Sequence, residues 1–75
     1  MNKNRRQLLK SWVKRLEDLK GNLEEILSDE EEYFDMMPEN LQGSINGMNS
    51  EEAIDKMNDA IVCLEEAAEA VEEIL

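Results

Sequence analysis

The chain has 75 residues, 19 acids against 8 lysines and arginines, one cysteine and no histidine. A chain this short forms at most one domain and is marginal alone unless stapled, metallated or oligomeric. The lone cysteine excludes an intrachain disulfide, and the missing histidine removes the commonest metal ligand and general base. No apolar run approaches the ~18 residues of a membrane span, and no uninterrupted apolar stretch follows the basic start as a signal peptide requires. A lone cysteine fits a reducing compartment, so a cytoplasmic protein is expected.

The net charge of −11 is unevenly spread. Residues 1–20 carry seven cations against Glu17 and Asp18, whereas residues 21–75 carry Lys56 against seventeen acids. Such asymmetry points to a charged partner or to an internal pairing of the two segments.

The first element is a long amphipathic helix, expected over about residues 4–36. Leu9, Trp12, Leu16, Leu19, Leu23 and Ile26 alternate spacings of three and four, and the phase continues to Tyr33 and Met37 with Glu30 as its polar break. This spacing puts them on one stripe of a helix. Gly21 falls inside the pattern without shifting its phase, so the helix is expected to run through it, about 48 Å in all. The basic segment containing Trp12 has the form of a membrane, nucleic-acid or calmodulin-type helix. The acidic remainder would repel a polyanion, so Trp12 is expected in the core, with the cations beside the acidic end of the second helix.

A corner is expected over residues 37–49. Pro38 disfavours helical dihedrals at Met37 and ends the first helix. Residues 38–41 read as one helical turn with proline at its start, closed by Gly43. Residues 44–50 read as loop, with Asn46-Gly47 as a turn signal. Tyr33, Phe34, Met37, Pro38, Leu41 and Gly43 therefore define the corner. Exposure of Phe34, Met36 or Leu41 would instead mark an apolar docking patch at its tip.

The second helix is expected over residues 50–75, capped by Asn49 or Ser50. Ile54, Met57, Ile61, Leu64, Ala68, Val71 and Leu75 repeat threes and fours without exception. A second stripe, Ala60, Cys63, Ala67, Ala70 and Ile74, lies beside the first. Small residues let helices approach closely, and two apolar stripes call for more than one neighbour. The expected fold is therefore all-α: an antiparallel two-helix hairpin whose spare stripe joins a second copy in a four-helix bundle. Folding back also brings the basic start of one helix beside the acidic end of the other, relieving the dipole mismatch at each.

No catalytic, cofactor or metal site is expected. The run Asp29–Glu32 lacks the alternate acids and glycine of a calcium loop. Cys63 has no histidine to activate it and is read as a packing residue. The candidate functional feature is the outward acidic stripe of Asp55, Asp59, Glu66, Glu69 and Glu73, flanked by Glu65 and Glu72. Arrayed carboxylates on a rigid support resemble a phosphate backbone and steer a basic partner.

Residues 31–44, EEYFDMMPENLQGS, followed by the Glu/Ala-rich second helix, resemble small acidic helical proteins of phages and prophages of Gram-positive bacteria. The most specific part is Tyr33-Phe34-Asp35 with Met37 to Ser44; Met36 departs from the polar residue expected there. The resemblance implies a phage setting, hence the host cytoplasm, and binding of a host protein such as a defence nuclease. It transfers no catalytic or ligand residues. A structural or assembly coiled coil acting through its apolar seams is the alternative.

Overall fold

The computed structural model describes all residues 1–75 and is entirely helical: α1 (Lys3–Asp35), α2 (Glu39–Gln42) and α3 (Ile45–Glu72). α1 and α3 lie side by side in a rod of 58 × 15 × 13 Å. Lys20 of α1 meets Glu65 of α3 at 3.0 Å, and Ser50 of α3 donates to Glu30 of α1 at 3.1 Å.

α1 starts at Asn2, whose side chain accepts from the Arg5 amide at 2.8 Å and satisfies one free donor of the first turn. Gly21 is helical, as expected. The helix stops at Asp35, one residue short of the expected end, because proline at 38 opposes helical backbone before it. Pro38 then accepts from the Leu41 and Gln42 amides, making the short turn expected there. Gly43 closes it with φ −83°, a conformation open to any residue, so its glycine is not what lets the chain turn.

The expected loop over 44–50 is not found. α3 begins five residues earlier, capped by Ser44, whose hydroxyl accepts from the Gly47 amide at 3.4 Å and donates to the Leu41 carbonyl. Asn49 and Ser50 cap nothing. Ser50 is inside the helix and among the most buried residues of the chain. Asn46-Gly47 makes no turn either. A Cβ at Gly47 would run into the Gln42 backbone, so the glycine serves close packing between α2 and α3.

The packed face of α3 is the expected one: Ile61 and Ala68 are buried, and Ile54, Met57, Leu64 and Val71 are half-buried. Leu75 is exposed at the end. On α1 the packed face is rotated from the expected stripe. Leu9, Leu16 and Leu23 point inward as expected, and so does Met37 just past the helix, but the alternate positions are Val13, Lys20, Leu27 and Phe34. Trp12, Leu19, Ile26 and Tyr33 stay about half exposed, between 47% and 58%. The inner face keeps the same three-four rhythm, one residue later at every second position. The core is thin, with no large side chain fully buried, because two helices can enclose a seam but cannot surround it.

Candidate functional site

The two long helices leave a groove on each side of their seam, and the sides differ in chemistry. Glu17 of α1 and Glu65 and Glu69 of α3 line one groove beside Lys20, in a cavity of about 290 Å³. Nearer the corner, Glu31, Asp35, Glu51 and Asp55 surround another shallow cavity of about 310 Å³ on this side. These carboxylates extend the acidic stripe expected on the second helix, where Asp55, Asp59, Glu66, Glu69 and Glu73 are all exposed. Glu30 alone of the Asp29–Glu32 run turns toward α3, where it accepts from Ser50.

Only Lys20 supplies positive charge across the pair. The glutamate at 65 raises the Lys20 pKa above its ordinary 10.5, first through their hydrogen bond and then through its charge. The other ion pair joins exposed Lys14 and Asp18 at 3.8 Å within α1. Lys3, Arg5, Arg6, Lys10 and Arg15 make none. The expected neutralisation of the basic start by the acidic end of the second helix is thus confined to one pair.

Across the seam the surface is apolar. Tyr33 shares a cavity of about 420 Å³ with Met36, Met37, Pro38 and Leu41, closed by Ser44 and Asn46. Met36 is 77% exposed, and Leu41, Ile45 and Met48 are exposed as well. Heptad spacing carries this side along both helices, from Tyr33 back through Ile26, Leu19 and Trp12, and from Asn46 on through Ala53, Ala60, Ala67 and Ile74. Of the expected oligomer seam, Ala60, Cys63, Ala70 and Ile74 are exposed and Ala67 is half-buried.

At the corner, Phe34 and Met37 are half-buried, whereas Tyr33, Pro38, Leu41 and Gly43 are exposed. Gln42 holds the corner together: its side-chain amide donates to the carbonyls of Phe34 and Met37 at 3.2 and 3.1 Å. Both carbonyls lie where α1 ends, and that of Phe34 also accepts from the Met37 amide at 3.1 Å. Its role was not visible in the sequence. The signal available was a lone amide side chain just beyond a proline-terminated helix.

Comparison with known proteins finds no family model, curated protein or solved structure that matches the chain.

Proposed function

We propose that this protein is a non-enzymatic, acidic protein-binding module that captures a basic partner protein. The observation that carries the reading is the acidic groove, where Glu17, Glu31, Glu51 and Glu65 from both long helices line one side with Lys20 as the counter-charge across the pair. A groove with one sign of charge concentrates and steers the opposite sign. The framework we propose is an antiparallel hairpin that dimerises into a four-helix bundle, supported by the Lys20–Glu65 and Glu30–Ser50 contacts and by the unpaired apolar side. With the resemblance to phage proteins, the sharpest form is a phage-encoded inhibitor of a host defence or DNA-binding protein, acting in the host cytoplasm. Capture from host lysate tests it. The expected result is a partner retained at low salt and released at about 0.5 M, where charges more than a few ångströms apart are screened. A lysate yielding no salt-sensitive partner overturns the reading.

A second reading is favoured by the exposure of Trp12, Leu19, Ile26 and Tyr33. A small assembly coiled coil would use that apolar side, and its partner would be held equally at both salt concentrations.

A further inference from the structure

The exposed rows of α1 have an order that a single copy leaves unexplained. Trp12, Leu19, Ile26 and Tyr33 form one heptad row, running aromatic, aliphatic, aliphatic, aromatic. Beside it, Leu8, Arg15, Asn22, Asp29 and Met36 form a second, running apolar, cation, amide, anion, apolar, and all five are exposed. Reversed, the first row keeps its order and the second exchanges its cation with its anion. A row of this kind complements a reversed copy of itself and repels a copy aligned with it.

The charge of the whole rod has the same directional sense. Residues 1–20 and 60–75 carry seven cations and seven acids, so the end holding both termini is neutral. Residues 21–59, which include the corner, carry twelve acids against Lys56 and hold the entire surplus of eleven negative charges. Aligning two copies corner to corner would double that charge in one place. Reversing one copy sets each acidic corner beside the other copy's unpaired Lys3, Arg5, Arg6 and Lys10. The apolar side runs along a rod 58 Å long and about 15 Å wide. That is on the order of the 800 Å² per partner that a stable interface covers.

From this palindromic pattern and the one-ended charge we infer that the apolar side is the site of a second copy of this chain, seated end-for-end about a two-fold axis near Asn22. The inference deepens the dimer reading proposed above and rests on it. In this arrangement α1 lies on α1 of the second copy: Trp12 packs against Tyr33 of the second copy, Leu19 against Ile26, and Arg15 pairs with Asp29. α3 lies on its mate along Ala53, Ala60 and Ala67, small residues that permit close approach. Each contact occurs twice, as a two-fold interface requires. The acidic grooves face outward on the opposite side of each copy, open to a partner.

Sedimentation equilibrium and spin-label distances test this on the full chain. Asn4→Cys in a Cys63→Ser background places one label per copy near the terminal end. Asn4 lies about 18 residues from the axis, so end-for-end copies put the two labels about 55 Å apart at 1.5 Å per residue. Copies aligned corner to corner put them within a bundle's width, on the order of 20 Å. A dimer with the long distance is the expected result. A dimer with the short distance overturns the end-for-end inference and leaves the dimer reading standing. A folded monomer at micromolar concentration overturns both. Arg15→Asp should weaken association at least tenfold, and Arg15→Asp with Asp29→Arg should recover it. Failure of the exchange to recover association also overturns the inference. Helicity of the single variant is followed by circular dichroism, and the label distances do not depend on it.

Discussion

Gly47, in the first turn of α3, lies so close to Gln42 that a Cβ at position 47 would overlap the Gln42 backbone. A Cβ at Gly21, in the middle of α1, would have no neighbour within 4 Å. The two glycines therefore respond oppositely to alanine. Gly21→Ala fills open space on a helix and should stabilise the protein by about 0.5–1 kcal/mol. Gly47→Ala should destabilise it by about 1–3 kcal/mol, because the overlap with backbone outweighs the gain in helix propensity. Urea denaturation at fixed protein concentration measures both.

Gln42 should prove a structural residue of the corner. Gln42→Ala removes two donors from the carbonyls of Phe34 and Met37 and should cost about 1–3 kcal/mol. Gln42→Glu offers those carbonyls only acceptors and should cost more. Hydrogen exchange localises the loss, with faster exchange expected in the last turn of α1.

The Lys20–Glu65 pair gives a pH dependence with a definite sign. Folding raises the Lys20 pKa above 10.5, so the folded state holds this proton more tightly than the unfolded state. Its contribution is complete below about pH 10.5 and is lost as the pH rises through the raised value. Stability curves of the wild type and Lys20→Gln should therefore lie apart at neutral pH and converge in alkali. A gap that widens in alkali would show that the pair is not what separates them.

Neutralising the outward acids should separate stability from binding. Glu69 and Glu73 are exposed like charges one helical turn apart at the end of α3, where Glu73 is the C-cap. Glu69→Gln with Glu73→Gln should stabilise the helix by about 0.2–0.5 kcal/mol by relieving their repulsion. The same pair of changes should weaken capture of a basic partner at low salt. Thermal melts and the lysate capture read the two effects.

Ser50 donates to Glu30 from a buried position. Ser50→Ala should cost about 1 kcal/mol, the net worth of such a bond, plus some repulsion from the freed carboxylate. Ser50→Val should cost more, through crowding at the seam. Chemical denaturation of the two variants checks the order.

Local patterns in the sequence determined the helical class, the passage of α1 through Gly21, its end before Pro38 and the packed face of α3. Each follows from spacing or from proline's fixed backbone, which act within a few residues. The face of α1 did not follow in the same way. Between residues 8 and 37 apolar side chains cover nearly half the helix circumference, so Trp12 or Val13, Leu19 or Lys20, Ile26 or Leu27, and Tyr33 or Phe34 fit the same rhythm. Only the position of α3 decides among them. It selects the second of each pair, accepts Lys20 at the seam because Glu65 meets its ammonium, and leaves the bulkier row outside.

The start of α3 was hidden for a related reason. Asn46-Gly47 has the local chemistry of a turn, and Asn49-Ser50 that of a cap. The approach of Gln42 makes glycine a packing requirement, and Ser44 satisfies the free amides earlier. The acidic residues were legible because exposed carboxylates need no neighbour to define them. Which of them gather around a groove, and which apolar residues remain open on the other side, were settled by how two long helices lie against each other.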